Sequence, residues 1–244
     1  MAIPPISILE TLALRAMPAL ETKVLDGWLL RASGGYSKRA NSVNCLKPAK
    51  SQLSTRIDDA EHFYSARKLP VIFRMTPVCE PELETDLIAR GYQAAGATDV
   101  LTLALAPQPP IKTAVTIDTI ATDDWIHLFA RTHDLNDHDT KILAAILSSI
   151  APRSAFARMG EQALGRAVFE AGYTGLFSLA TSHDCRRQGH ARAISQALLH
   201  WGSDQGAHHA YLQVEQDNKA ALALYHSLGF QHAYSYHYRI KQQA

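Results

Sequence analysis

The sequence predicts an α/β protein built from two similar units, and three observations carry that reading. A proline-rich break, Ala106-Pro107-Gln108-Pro109-Pro110, divides the 244 residues into parts of domain size. Proline locks φ and has no N–H to donate, so such a stretch reads as an extended linker. The order strand, helix, short glycine-aromatic turn, strand occurs on both sides of the break. Some segments also alternate apolar and polar residues while others repeat apolar residues every three or four positions, the periods of strand and helix. The expected organisation is a first unit over 1–106, a linker over 107–113 and a second unit over 114–244.

In the first unit, 28–32 and 41–46 read as strands, 51–67 as a helix and 71–75 as a strand. A helix through Leu83, Leu87 and Ile88 follows, then Arg90-Gly91-Tyr92 and a strand over 99–105. In the second, 114–121 is rich in β-branched residues and reads as a strand. Asp123 caps a helix running to Arg131, and another helix spans about 139–150. Three strands are expected near 154–159, 165–170 and 175–181. Ala191, Ile194, Leu198 and Trp201 recur at helical spacing. Ala210, Leu212 and Val214 alternate as a half-buried strand. Asn218 opens a helix carrying Ala221, Leu224, Tyr225 and Leu228, Gly229 stops it, and 230–240 ends the chain as β structure. Strand 210–214, its helix and Leu228-Gly229-Phe230 parallel strand 71–75, its helix and Arg90-Gly91-Tyr92, so the two units read as a diverged duplication.

Composition limits the function classes. Apolar residues make up 47% and charged residues 19%, and Lys+Arg 24 against Asp+Glu 23 leaves a net charge of +1. No basic excess exists to neutralise a phosphate backbone, so nucleic acid is not an expected partner. No apolar run nears the roughly 18 residues of a membrane span. The start, Met1-Ala2-Ile3-Pro4-Pro5, has neither the basic nor the apolar region of a signal peptide. The three cysteines share no CxxC, so neither a disulfide scaffold nor a zinc ribbon is indicated. A cytoplasmic protein without membrane contact is expected.

The most informative stretch is Gly175-Leu-Phe-Ser-Leu-Ala-Thr-Ser-His-Asp-Cys-Arg-Arg-Gln-Gly-His-Ala191. An apolar strand enters a turn holding Arg186 and Arg187, then Gly189, Ala191 and an amphipathic helix. Unpaired N–H groups at a helix start face outward and the helix dipole favours an anion, so this is what a diphosphate site requires. Gly189 lets phosphate oxygens approach the main chain, Ala191 keeps the cradle open, and the arginines add charge. Neither GxxxxGK[ST] nor GxGxxG occurs, so a nucleotide site lacks its own motif.

The order strand, RxxGxA turn, helix, strand, Asn218-x-x-Ala221-x-x-Leu224-Tyr225, Leu228-Gly229-Phe230 resembles the GNAT superfamily of acyl-CoA-dependent N-acetyltransferases, strongly over 173–232 and more weakly over 114–172. The resemblance implies tandem GNAT-like folds, each a mixed, mostly antiparallel sheet flanked by helices, with a degenerate first unit. It implies acetyl-CoA as cosubstrate and no metal. The turn Arg186, Arg187, Gln188, Gly189, His190, Ala191 matches the pyrophosphate loop, although His190 stands where the family usually has an aliphatic residue. Leu179 and Thr181 lie on the strand whose main chain pairs with the pantetheine arm. Asn218 matches the polar residue that contacts that arm, and Tyr225 the tyrosine proposed to protonate the departing thiolate. A backbone N–H near Leu179 suits a developing oxyanion. Glu215, at a strand end, is the candidate base, with His133 and His138 as competitors. The expected acceptor is a small-molecule amine; a protein N-terminus or lysine, or a non-catalytic acyl-CoA sensor, are the alternatives. A homodimer is compatible with this reading.

Three further segments invite a functional reading. His133-Asp134-Leu135-Asn136-Asp137-His138-Asp139 matches no metal motif and reads as a helix cap with a solvated loop. Cys185, beside Arg186 and Arg187 at an expected helix start, is a candidate nucleophile, but the resemblance implies direct transfer. Gly34-Gly35-Tyr36-Ser37-Lys38-Arg39-Ala40-Asn41 reads as a solvated hairpin turn, although Lys38, Arg39 and Asn41 are polar enough to face a ligand. Between Tyr36 and Lys50 no glycine occurs to form a second cradle, so the first unit is expected not to bind CoA but to close one wall of the acceptor pocket.

Overall fold

Eleven strands form one continuous sheet in the computed structural model, which describes residues 3–47, 49–106 and 114–242. The first half gives α1 (Ile6–Ala16), β1 (Glu21–Leu25), β2 (Trp28–Ala32), β3 (Val43–Cys45), α2 (Leu53–Ser65), β4 (Val71–Met75), α3 (Pro81–Ala89) and β5 (Gln93–Ala104). The second gives β6 (Thr116–Asp118), α4 (Asp123–Thr132), α5 (Asp137–Ser148), β7 (Arg153–Met159), β8 (Ala163–Glu170), β9 (Tyr173–Thr181), α6 (His190–Asp204), β10 (His209–Glu215), α7 (Lys219–Ser227) and β11 (Gln231–Lys241). The expected linker, 107–113, lies outside the described residues. Among them, no helix is long and apolar enough to cross a membrane.

The sheet order is β1-β2-β3-β4-β11-β5-β10-β9-β8-β7-β6. Outward from the centre, β11-β4-β3-β2-β1 mirrors β5-β10-β9-β8-β7. The parallel step falls at the same place in each arm, between β3 and β4 and between β9 and β10, and the remaining pairs are antiparallel. The halves also exchange their last strands. Strand β5 of the first half pairs with β10, β11 of the second pairs with β4, and the two pair with each other at the centre.

This exchange decides where the core lies. Alternation along β10 sends Ala210, Leu212 and Val214 towards α6 and α7, where they meet Ile194, Leu198, Tyr225 and Phe230 together with Leu101 and Leu105 from the first half. On the opposite face, Tyr211, Phe177 and Val168 pack with Tyr234, Tyr236 and Tyr238 against Leu9, Leu12, Ala13 and Ala16 of α1. Helix α1 and strand β1 were absent from the sequence expectation, and β5 starts at Gln93 rather than near Asp99.

Helix α1 ties the halves together through its polar groups. Arg31 of β2 donates to the carbonyls of Leu14 and Met17, and Arg166 of β8 donates to that of Ala16 at 2.9 Å. Cations therefore close the negative end of the helix from both halves. Buried Glu10, in the same helix, accepts from Arg74 of β4 and from Tyr234 of β11.

The turn over 33–42 is not a solvated hairpin. Asn41 is buried and braces it, its Oδ1 accepting from the N–H groups of Ser33 at 2.7 Å and Gly35 at 3.0 Å while its amide donates to the carbonyls of Tyr36 and Ser37. Tyr36 packs into the second half against α4 and α5. A Cβ on Gly34, which has φ +58°, would come 2.6 Å from Ile142 Cδ1 of α5. Glycine is needed there for closeness as well as conformation.

Leu101 of β5 is fully buried within the second half's core. Leu101→Ala is expected to destabilise the whole chain by about 2–5 kcal/mol, as other buried leucine truncations do. In urea denaturation both halves should unfold in one shifted transition, because they share the affected strand.

Candidate active site

The site begins where two parallel strands part. Strand β9 pairs with β10 only from Tyr173 opposite His209 to Leu176 opposite Leu212. Just beyond, the register between β8 and β9 slips and Ser178 takes φ +55°. That extra residue is a β-bulge, which bends its strand. The end of β9 then turns away from β10, leaving its main chain beside a gap.

The gap is a cleft of about 690 Å³ between the end of β9 and the starts of α6 and α7. Leu179, Thr181, Arg186, Arg187, Gly189, His190, Ala191, Asn218 and Tyr225 all line it, so nearly the whole set expected from sequence comes together. Gly189 caps α6 with φ +86°, and no atom lies within 4 Å of where its Cβ would be. Arg187, two residues earlier, has φ +62°. Left-handed residues in a turn aim successive N–H groups into one hollow, and the helix dipole adds to the attraction for an anion. Arg186 and Arg187 are exposed on its rim. The cleft wall also holds an orphan, because His190 Nε2 is buried without a hydrogen-bond partner. An open cradle beside an unsatisfied polar atom fits a phosphorylated ligand and not an apolar one.

Across the cleft, Asn218 Oδ1 accepts from the N–H of Ala221 at 3.1 Å and so caps α7. Tyr225, two turns on from Asn218, is 7% exposed. Burial pushes its phenol up to about 12, with the charge of Arg39 pulling the other way. That influence comes from the first half of the chain. Thr132, at the end of α4, also lines the cleft; no sequence pattern distinguishes it.

Four other candidates, Gln188, Glu215, His133 and His138, fall outside the lining. Gln188 is exposed and donates to the Asp184 carbonyl at 3.3 Å. Glu215 is exposed at the end of β10 opposite Thr98. Strand alternation puts it on the face of Tyr211 and Gln213, opposite Val214 and α7. His133 stacks on Phe129 with ring centroids 3.9 Å apart, and His138 Nε2 lies 3.5 Å from the Gly34 carbonyl. Cys185 is half-buried in the cleft wall. Asn136 caps α5 by accepting from the N–H of Asp139, and among the described residues no group of three or more His, Cys, Asp or Glu could hold a metal ion.

The matching gap in the first half is closed. Glu80, just before α3, accepts two hydrogen bonds from Arg56 of α2, at 2.7 and 2.5 Å. The Arg56 guanidinium also lies 4.4 Å from the Trp28 ring. A bidentate pair thus bridges the starts of the two helices that the cleft separates in the second half.

Comparison with known proteins places this geometry. The model of a family described as "Probable histone acetyltransferase Rv0428c C-terminal" matches residues 5–239. The chain belongs to that family. It is a GNAT-type N-acetyltransferase, and therefore an acyltransferase. It is 29% identical over 247 residues to YobR of Bacillus subtilis (strain 168), described as an uncharacterized N-acetyltransferase, covering 96% of this chain and 98% of YobR. Two solved structures share the fold. A GCN5-related N-acetyltransferase from Kribbella flavida superposes with a TM-score of 0.71 at 14% identity, covering 100% of this chain and 98% of that one. A tandem GNAT protein from the clavulanic acid biosynthesis pathway does so with a TM-score of 0.63 at 13% identity, covering 99% and 89%.

Because Asn218 caps α7 in this N-acetyltransferase, Asn218→Ala is expected to lower its stability by about 1 kcal/mol. Asn218→Asp should restore most of the loss. Urea denaturation of the three proteins checks both expectations.

Proposed function

We propose that this N-acetyltransferase moves the acetyl group of acetyl-CoA directly to the primary amine of a small molecule, such as an amino acid, an amine metabolite or an amine-bearing antibiotic. The observation that supports this most is the parted edge of β9, which leads into a left-handed glycine at the start of α6. In this reading the main chain over 186–191, with Arg186 and Arg187 on its rim, holds the pyrophosphate. The free edge of β9 at Leu179 and Thr181 offers main-chain hydrogen bonds to the pantetheine arm, and Asn218 faces the same arm. Bound there, acetyl-CoA supplies an activated thioester carbonyl.

The chain's own groups do the rest. The main-chain N–H beside Leu179 faces the position where negative charge grows on the carbonyl oxygen. Tyr225 keeps a proton on its Oη at the cleft wall, since burial holds it neutral throughout the physiological range. Glu215 lies outside the lining, so it takes the amine's proton through water. The braced turn over 33–42, packed on α5, narrows the side of the sheet where an acceptor would sit. That favours a compact amine over an extended peptide. A protein acceptor is the second reading, because the family's own description names a histone acetyltransferase. A cytoplasmic setting suits this reading, with acetyl-CoA at hand and Cys45, Cys79 and Cys185 as free thiols.

Gly189→Glu puts a bulky anion into the cradle while meeting no packed atom. Acetyl-CoA affinity measured by calorimetry should fall at least about 100-fold, as expected for losing a charged ligand's main contact. Retained affinity would displace the cofactor from this cleft. Tyr225→Phe should lower kcat about 100-fold with little change in acetyl-CoA affinity. In the wild type this proton donor is lost only as pH rises through about 12. A pH–rate profile should therefore climb as the amine deprotonates and show no descending limb below about pH 10.

A further inference from the structure

Where the second half opens its cleft, the first half holds a pair of thiols. Strands β3 and β4 are the parallel pair equivalent to β9 and β10, and they too part after a short run, from Val43 opposite Phe73 to Asn44 opposite Arg74. Cys45 ends β3 and pairs on its other side with Trp28 of β2. Continuing the register brings it level with Met75, the last residue of β4, and both are buried in the core under α2 and α3. Cys79 returns to the same place from the turn between β4 and α3. Its Sγ accepts from the N–H of Thr76 at 3.4 Å and donates to the carbonyl of Arg74 at 3.5 Å, the two residues flanking Met75. It packs against the core that contains Cys45, and the Cys45 thiol donates a hydrogen bond to its sulfur.

The two sulfurs are not alike. The hydrogen bond from Cys45, helped by the N–H of Thr76, pulls the Cys79 thiol below its ordinary pKa, while the same bond and burial push Cys45 well above. A thiolate is the reactive form of cysteine, so Cys79 is the nucleophile of the pair. Solvent reaches both sides of it. Cys79 is half-buried, and Cys45, although only 6% exposed, lines a cavity of about 810 Å³ beside α1 together with Leu46 and Val78. Neither cysteine lines the cleft at the start of α6.

We propose that Cys45 and Cys79 form a redox-modification site that reacts with a hydroperoxide and closes as a disulfide between the end of β3 and the turn before α3. The Cys79 thiolate attacks one peroxide oxygen. The O–O bond breaks, Cys79 is oxidised to a sulfenic acid, and the other oxygen leaves with the proton that the thiol gave up. The Cys45 sulfur then attacks the Cys79 sulfur. The S–S bond forms as the S–O bond breaks, and hydroxide leaves with the Cys45 proton as water. Two thiols and one hydroperoxide thus give one disulfide, one alcohol (or water) and one water. In a reducing compartment the pair stays as thiols until peroxide rises, the setting in which disulfides act as sensors. The new bond fastens the gap that Arg56 and Glu80 already bridge.

The test uses the full chain as wild type, Cys185→Ser, Cys45→Ser and Cys79→Ser, each reduced and then freed of reductant. Native protein is treated with hydrogen peroxide, its remaining thiols are alkylated, and its peptides are mapped without reduction. In the wild type the peptides holding Cys45 and Cys79 should be recovered joined within one chain, and dithiothreitol should part them. Cys185→Ser should form the same link. Cys45→Ser has no second thiol to close the bond, so dimedone should trap a sulfenic acid at Cys79. In Cys79→Ser the oxidation of Cys45 should be at least about 10-fold slower than its loss in the wild type, since rate follows thiolate fraction and exposure. Both thiols still alkylated after peroxide would overturn the proposal, as would a link to Cys185 or to a second chain in place of the expected one. Oxidation of Cys45 at the wild-type rate in Cys79→Ser would overturn the assigned order. The wild-type map needs no variant to fold. Acetyl-CoA enters none of these readouts, so failure of the acetyltransferase reading would leave their result standing.

Discussion

The pairing of β5 with β11 at the centre of the sheet is the constraint on which the rest depends. Each strand is the last of its own half and is seated in the ladder of the other, so neither half completes a sheet alone. Without β5, strand β10 would present an unpaired edge and the core over α6 and α7 would lose Leu101 and Leu105. Without β11, β4 would be exposed in the same way. A duplicated chain whose units merely adjoined could drift apart at its linker. Here the register of a long antiparallel pair fixes one half against the other, and one-residue slips would turn buried Tyr236 and Tyr238 away from α1.

That rigid frame allows one parallel pair to open without loosening the sheet. Parallel strands joined through a helix leave their carboxyl ends free, which is where ligands enter open α/β sheets. Both halves inherit such a pair, and they use it differently. In the second, the bulge at Ser178 bends β9 and the small residues Gly189 and Ala191 keep the gap clear. In the first, Arg56 and Glu80 bridge the equivalent place. The repeated topology therefore leaves one cleft open and bridges the equivalent place in the other half.

Much of this was legible in the sequence because its signals are local. Strands β2 and β4 and the α6 stripe follow from periodicity, and the cradle follows from a glycine that must take positive φ before a helix. The rest depends on distant partners, with helix α1 the exception. Helix α1 did carry apolar residues at Leu9, Leu12, Ala13 and Ala16, with Pro5 before it, a helical spacing that was readable. The first part of β5 was hidden by Ala94, Ala95, Gly96 and Ala97, whose small side chains carry no strand signature and whose glycine reads as a break. The turn over 33–42 looked solvated for the same reason. Asn41 and Arg39 are polar, and only the fold reveals that Asn41 is buried as a brace and that Arg39 is half-buried.

The arginines show most clearly how structure and chemistry divide here. A buried guanidinium needs acceptors, and a helix end is the least costly source because its last carbonyls are free in any case. Arg31 and Arg166 use that source from opposite halves, so their charge acts as a fastening. Arg74 is half-served by Glu10, and among the described residues no carboxylate lies within ion-pair distance of Arg39. Arg74 and Arg39 lean instead on aromatic neighbours: the Arg74 guanidinium stacks 3.8 Å from the Tyr236 ring, and the charges of both, with hydrogen bonding to Tyr238 and Thr98, pull the Tyr236 phenol below the ordinary tyrosine value against the effect of burial. The same residue type thus serves the junction in two ways, separated by whether the main chain has already supplied the acceptor.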